Sequence, residues 1–457
     1  MIYLIGQNLE LGKDQLKTLN LVEKFSTSPE IAFSIIGSAG TGKSLLIKYI
    51  IDFLEKSRKE YCLCAPTHKA KVVLERFTGK EGLTLHKLLS LAPNIELLEL
   101  DFRELKFIMN KKSPMFPTKG FIICDESSMV SDDLFELLLD KCKEYGCKII
   151  FVGDRGQLAP VKGNSHSKVF DLENKFELTY IYRQSENNGF LNVLSNLRNN
   201  SINKFSESIG TEGSLYCHSD IKNFFKEALP HYKKAMNTSD ILEVKMLAYT
   251  NARVNAFNTK VKELLFKKDQ EYNKLEFLTG YENIKFNGYD FWNSMDYIIA
   301  DEPKKQDVLI PGFIFLPGYK LNLYDSSEKK CSEIFMLSKE ISKDYFESLA
   351  AHIEETRLDA IELKQKKSRL SGKKWGEYYK IIESFTTPID LMYNNRLIRK
   401  QSFGGGYAMS CHKSQGSSIQ NVFIDMKNIQ TCRNDEEVRQ LQYVALSRTR
   451  NNAHILQ

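Results

Sequence analysis

Apolar residues fall into two rhythms along this chain: short continuous runs, and longer stretches with apolar positions at helical spacing. Through the first 200 residues the two alternate. FSIIG (33–37) precedes a helical pattern from about Ser44, and YCLCAP (61–66) precedes another from about Lys69. GFIICDE (120–126) and CKIIFVGD (147–154) continue the series. Strands apolar on both faces, alternating with helices, predict a parallel sheet covered on both sides and hence an α/β fold. From about 87 to 118 the rhythm breaks: LAPNIELLELDFRELKFIMNKKSPMFP is no clean βα unit and reads as an insertion. The rhythm returns at KMLAYT (245–250), at VFIDM (422–426) and in a closing helix, DEEVRQLQYVALSRTR. Between them, residues 275–403 carry irregular strands, turn signals at PGF (311–313) and PGY (317–319), and a charged helix near 341–369. This stretch reads as a second insertion.

Composition narrows the class without choosing a function. A chain of 457 residues exceeds one hydrophobic core, and its 42% apolar and 27% charged residues are those of an ordinary globular protein. The net charge of +6 permits a polyanionic partner, and a mildly basic solvated surface accounts for it equally well. No apolar run is long enough to span a bilayer, so no membrane partner is expected. MIYLIGQNLELGKDQ lacks the basic leader and long apolar stretch of a signal peptide. Nine scattered cysteines, with Cys62 and Cys64 on one face of a strand-like run, read as reduced core residues of a cytoplasmic protein. Cys142 and Cys147 lack a second pair at zinc-ligand spacing.

The chemistry sits at strand ends. Gly37-Ser-Ala-Gly-Thr-Gly-Lys43-Ser44 fits G-x-x-x-x-G-K-[ST] after a buried strand and at the start of a helix. Gly37, Gly40 and Gly42 let the backbone curl around Thr41 so that its N–H groups face phosphate oxygens, aided by the helix dipole. Lys43 then reaches the β- and γ-phosphates and Ser44 a Mg²⁺ ion. Asp125-Glu126 ends the run FIIC; such a pair is often a helix cap, but beside a phosphate loop it suits Mg²⁺ orientation (Asp125) and polarisation of the attacking water (Glu126). Gln157, in GDRGQLAP, is either a γ-phosphate sensor or part of a plain turn. Arg183 in LTYIYRQ and Arg448 in YVALSRTR are candidates for stabilising charge on the transferred phosphoryl group.

In order, the chain reads LGKDQ, GSAGTGKS, APTHKAK, TLHKLL, DESSM, GDRGQLAPV, LTYIYRQ, AYTNARVNAFN, YAMSCHKSQGSS and YVALSRTR. This ladder resembles the superfamily 1 helicases, in the RecD/Dda-like branch, over residues 11 to 450. The resemblance implies two RecA-like P-loop motor domains, the first from 1–86 and 118–180 and the second from 181–274 and 404–457. It implies a pin-like insertion at 87–117 and an SH3-like insertion with a helical extension at 275–403. ATP would lie between the motors, with Gln15 at the adenine, Lys43, Ser44, Asp125 and Glu126 as above, Gln157, Arg183 and Arg448 near the γ-phosphate, and Gly416 beside the nucleotide. Movement along single-stranded DNA would run 5′ to 3′.

The same resemblance places Thr67, His68, Thr84, His86, Thr250, Asn251, Ser410, His412 and Lys413 on the strand-binding face. Short hydroxyl, amide and basic side chains suit backbone phosphates. Read alone, Thr84 and Ser410 are equally helix caps, and His68 or His86 packing residues. Pro93 and Phe102 align with the proline and aromatic of a duplex-splitting pin, although Phe102 in a leucine-rich run also suits a core. Ser294, in FWNSMDYII, stands where the family often has a glycine, which puts the local hairpin in doubt; Ser410 replaces a common threonine and keeps the hydroxyl. Trp375, Tyr378 and Tyr379 are docking aromatics or core. The basic run KQKKSRLSGKK (364–374) is a solvated helix end or a nucleic-acid contact.

A DNA helicase acting on single-stranded and forked DNA with ATP and Mg²⁺ accounts for all ten segments. The alternative within the class is a nucleic-acid-stimulated ATPase that remodels protein–DNA complexes without processive unwinding. A small-molecule phosphotransferase explains only the phosphate loop and Asp125, and a binding module with a dead ATPase would need a damaged site. The expectation is a monomer in the cytoplasm, the host's if phage-encoded, that serves replication or recombination beside single-strand-binding or replisome proteins.

Overall fold

The computed structural model describes residues 11–93, 107–109, 115–160, 166–180, 189–266, 270–286, 288–325, 329–393, 396–400 and 403–457. Phe102 and Arg183 lie outside them. Of Pro93 only the backbone is described, paired with Phe107 in a short antiparallel ladder, Leu91–Pro93 with Phe107–Met109.

Two parallel sheets, each flanked by helices, form the frame. In the first, the strand order is Gly82–Thr84, Tyr61–Ala65, Phe121–Cys124, Lys148–Gly153, Ala32–Gly37, Lys175–Leu178, with every pairing parallel. Ala32–Gly37 is buried along its whole length, as a strand covered on both faces must be. One face packs on Ile47, Ile50 and Leu54 of the helix Lys43–Lys56; the other packs on a core that includes Cys64, Cys124, Cys142 and Cys147. The cysteines are free thiols within apolar packing.

In the second sheet the order is Ala408–Ser410, Val244–Ala248, Ile419–Asp425, Thr449–Leu456, Ser214–His218, again parallel throughout. Here the closing helix expected from DEEVRQLQYVALSRTR is shorter: it spans Asp435–Ser447, and Arg448 is its C-cap. Thr449–Leu456 turns back as an inner strand because its last four residues are apolar enough to be buried. His454 lies flat on Phe423, ring centroids 4.1 Å apart, and burial pushes its imidazole down to about 3, with His218 and His231 adding to the effect.

Between the strands Val244–Ala248 and Ala408–Ser410 the chain builds an antiparallel sheet containing Phe277–Gly280, Asp296–Ile299, Gly318–Asp325 and Lys330–Leu337. The helices Lys343–Gln365 and Ser371–Ile382 follow, and the first holds a buried Arg357–Glu354 ion pair at 2.7 Å within itself. Trp375, Tyr378 and Tyr379 form one aromatic cluster, in which Tyr378 is core, Trp375 is partly buried and Tyr379 is exposed. Of the two turn signals, only PGF is a turn: Gly312 has φ +71° between two short paired strands. Gly318 instead opens the eight-residue strand Gly318–Asp325, where a Cβ would sit 2.6 Å from the Met336 carbonyl oxygen.

Ser294 sits in a turn between strands that pair with other partners, Tyr289–Phe291 with Ile284–Phe286 and Asp296–Ile299 with Phe277–Gly280, so no hairpin forms across it and the turn keeps a left-handed backbone. Ser294 has φ +65°, and its N–H donates to the Gly280 carbonyl at 2.8 Å. That conformation costs a non-glycine residue roughly 1–2 kcal/mol. Ser294→Gly removes the strain and returns part of the gain as unfolded-chain entropy, so the variant should be more stable by about 0.5–1 kcal/mol in equilibrium denaturation. A loss of stability would mean that the serine side chain holds this turn.

Candidate nucleotide site and strand face

Parallel topology delivers the C-terminal ends of neighbouring strands to one edge, and the candidate groups meet there. The loop after Ala32–Gly37 curls through Gly40 (φ +90°) and Gly42 (φ +77°), conformations that favour glycine. A Cβ on Gly37 would lie 2.5 Å from Thr41 Oγ1, which itself donates to the Ser38 carbonyl at 2.9 Å. Lys43 opens the following helix, and its ammonium donates to the Gly37 and Ser38 carbonyls at 2.6 and 3.1 Å. Ser44, next to it, is exposed.

Gln15 is placed differently from an open adenine contact. Its side chain is buried, with Oε1 accepting from the Gly12 N–H at 2.9 Å and Nε2 donating to the Thr41 and Gly42 carbonyls at 3.2 and 3.4 Å. It braces the phosphate loop from beneath.

Asp125 and Glu126 follow the strand Phe121–Cys124, which is separated from Ala32–Gly37 by Lys148–Gly153. Burial and the Glu126 carboxylate push the Asp125 carboxyl up to about 7, while the Glu126 N–H, donating at 2.9 Å, and Lys43 pull the other way. Glu126 sits at φ +52°, a left-handed position that strains a non-glycine residue. Several buried polar atoms at these strand ends find no partner among the described residues: Ser38 Oγ, Glu126 Oε2, Ser127 Oγ, Ser128 Oγ and Gln157 Oε1. Native interiors satisfy most such atoms, so their concentration at one edge marks a surface built for a polar ligand. Half-buried carboxylates beside a lysine-bearing anion loop form a donor set that suits a divalent cation carried by a polyphosphate.

Across the cleft stands the helix Asp435–Ser447. The Tyr443 hydroxyl donates to Asp154 Oδ2 at 2.8 Å and accepts from the Ala39 N–H of the phosphate loop at 3.2 Å. Asp154 uses its other oxygen on the Gly156 N–H at 2.9 Å, so it is a hub at the end of the strand Lys148–Gly153. Gln415 donates to the Leu158 carbonyl at 3.5 Å, and a Cβ on Gly416 (φ +74°) would lie 3.4 Å from Ala70. Arg448 is buried, with its guanidinium donating to the carbonyls of Ser417 at 3.4 Å and Val444 at 3.3 Å. These partners all belong to the C-terminal half.

The residues aligned with a strand face resolve into caps and covered side chains. Thr67, Thr84 and Thr250 are N-caps, accepting from Ala70, Lys87 and Arg253 N–H groups at 3.2–3.3 Å. Ser410 Oγ accepts from the Lys413 N–H at 3.3 Å. Asn251 is exposed and His86 half-buried. Two aromatics of the antiparallel insertion cover the basic side chains. His68 stacks on Trp292 at 3.9 Å with the rings 11° from parallel, and burial pushes its imidazole down to about 3. Lys413 lies over the Tyr281 ring at 3.4 Å, and burial lowers its ammonium to about 8 against the attraction of Asp296. His412 is 3.7 Å from Glu437, with burial lowering its pKa.

Asp296 ties this face together. It pairs with the fully buried Lys245 at 3.1 Å; burial raises its carboxyl, but Lys245 and Lys69 outweigh that and hold it below the ordinary range. The Lys69 ammonium is buried with no hydrogen-bond partner among the described residues, and burial pushes it down to about 8 while Asp296 opposes. Sequence reasoning missed Asp154, Tyr443, Trp292, Tyr281 and the Lys245–Asp296 pair. Only Asp154 carried a signal, as an acid at the end of a buried strand like Asp125.

Residues 10–220 match a family model described as an AAA domain, and residues 405–456 match a UvrD-like helicase C-terminal domain. The chain is 28% identical over 272 residues to the ATP-dependent DNA helicase dda of Enterobacteria phage T4, a match covering 58% of this chain and 59% of that protein. It is 26% identical to the ATP-dependent DNA helicase Pif1 of Campylobacter jejuni, over 91% of this chain and 86% of that one. In fold it is similar to Bacteroides Pif1 bound to ssDNA, with a TM-score of 0.51, 17% identity and coverage of 98% and 92%.

The Tyr443 bridge generates a test. Tyr443→Phe keeps the ring and leaves Asp154 Oδ2 and the Ala39 N–H without this partner, a loss of about 1–3 kcal/mol in the closed arrangement. Steady-state ATP turnover should fall by about ten- to a hundredfold with the fold intact by circular dichroism. Wild-type turnover would show that closure does not depend on this contact.

Proposed function

The chain belongs to the Pif1/Dda-like group of superfamily 1 helicases, and we propose from that premise that it is an ATP-driven DNA helicase moving 5′ to 3′ on single-stranded DNA. The observation that carries the reading is the set of unpartnered buried polar atoms around Lys43, Asp125 and Glu126, faced by a helix that carries Tyr443 and Arg448. A nucleoside triphosphate satisfies both signs of charge in that cleft. Lys43 leaves the loop carbonyls for the β- and γ-phosphates, and the N–H groups of residues 38–43 surround the anion. Ser44 and Asp125 would hold Mg²⁺, which when bound screens the phosphate charge. Glu126 orients the attacking water, with Gln157 beside it. Arg448 exchanges its carbonyl partners for the γ-phosphoryl oxygens as the halves close, placing positive charge where negative charge develops. Opening and closing then moves the two cap-lined strand-end surfaces relative to each other along a DNA backbone.

Residues 87–117 are assigned to a pin and 275–403 to an accessory insertion on the alignment of motifs. Forked DNA and single-strand-binding or replisome proteins are the proposed partners. No helix among the described residues is long and apolar enough to cross a membrane.

The direct test is unwinding of duplexes carrying either a 5′ or a 3′ single-stranded tail. The 5′-tailed duplex should be opened with ATP and the 3′-tailed one left intact; the reverse preference would overturn the polarity, and stimulated ATPase without unwinding would favour a remodelling ATPase. Arg448→Ala should lower DNA-stimulated turnover by about 10³-fold while ATP still binds. Unchanged turnover would remove Arg448 from the catalytic set.

A further inference from the structure

The helices Ile221–Thr238 and Asn251–Leu265 cover one side of the second parallel sheet and leave a groove of about 480 Å³ between them. Its floor is apolar, made by Phe225, Leu229, Phe257 and Leu264. Leu264 is 41% exposed and Ile221, at the groove's end, is 36% exposed, so apolar surface stands open to solvent. Its rim is cationic: Lys222, Lys226, Arg253 and Lys260 line it, and among the described residues no carboxylate does.

Two of these cations are held from within. Arg253 is anchored on Asp425 at 2.6 Å and lies over Phe257, and Lys260 is 3.4 Å from Glu263. Lys222 and Lys226, one turn apart, make no ion pair among the described residues. Lys222 also stands in the first turn of its helix, where a cation opposes the helix dipole and an acid would be favoured. Its position is unfavourable for the helix itself and fits a negative partner.

We propose that this groove docks an acidic amphipathic peptide segment of a partner protein, its apolar side chains on the Phe225–Leu264 floor and its carboxylates on the lysine rim. Its lining includes none of the nucleotide-site residues, and it adjoins the strand face only at Arg253, whose N–H donates to Thr250. Nucleic acid fits it less well. Phe225 and Phe257 are only 9% and 1% exposed, so neither offers a ring face to a base, and the apolar floor itself gives phosphates nothing to bond.

The probe is a short fluorescein-labelled peptide alternating Asp and Glu with Ile, Leu and Phe, titrated with the full chain by fluorescence anisotropy. A control peptide carries serine at every apolar position. The acidic amphipathic peptide should bind, the serine control should bind about tenfold more weakly or worse, and the double variant Lys222→Glu, Lys226→Glu and the single variant Leu264→Ser should each lose about tenfold in affinity. Glutamates near that helix N-terminus favour folding, so the double variant also controls for stability. Its ssDNA affinity and DNA-stimulated turnover should match wild type. Equal binding of both peptides, or insensitivity to the variants, would overturn the proposal. Loss of ssDNA affinity with peptide binding unchanged would also overturn it, by making the rim part of the DNA track.

Discussion

Everything in this molecule depends on how charge is held at the edge of the first parallel sheet. Lys43, Asp125 and Glu126 are brought together because consecutive βα units end on the same side, so a phosphate loop and an acidic strand end become neighbours. Burial then acts on them: it drives the Asp125 carboxyl up to about 7 and leaves Glu126 Oε2 and four other oxygens without a partner among the described residues. Such an arrangement lowers stability in isolation, by leaving polar atoms unsatisfied and by holding Glu126 in a left-handed backbone. In the proposed site, a polyphosphate with a divalent cation would turn the same features into contacts.

The second sheet matters because it closes that edge. One helix, Asp435–Ser447, carries both Tyr443, hydrogen-bonded to the phosphate loop and to Asp154, and Arg448 at its end. The strands on either side of this cleft also carry the capped helix starts at Thr67, Thr84 and Thr250. A change in closure is therefore felt at both surfaces. The insertion joins them: Trp292 on His68, Tyr281 on Lys413, and Asp296 on Lys245 connect it to the first and second sheets. In the proposed motor, these contacts are what DNA entering the strand face would rearrange.

The frame was legible because buried parallel strands and phosphate-loop chemistry are local signals. FSIIG, FIIC and KIIFVG are each mostly apolar, and each ends in glycine or is followed by an acid. What escaped notice was set by tertiary contact. Thr449–Leu456 followed a helix with no Gly or Pro to announce the change, and its character as a strand comes from two parallel neighbours. Tyr443 reads as one more aromatic on an apolar helix until Asp154 and Ala39 are seen beside it. Trp292 and His68 are separated by more than two hundred residues, so no spacing rule pairs them. Conversely, the glycine in PGY looked like a turn, yet it serves a close strand pairing that only the Met336 carbonyl explains.

The central claim is that a complete ATP site is coupled to a DNA-binding face. The most direct measurement is steady-state ATP hydrolysis with no nucleic acid, with single-stranded DNA and with single-stranded RNA of equal length. Basal turnover should be slow, rising strongly with DNA and little with RNA. Equal rates in all three would contradict it, because the cleft would then turn over ATP without reference to any track.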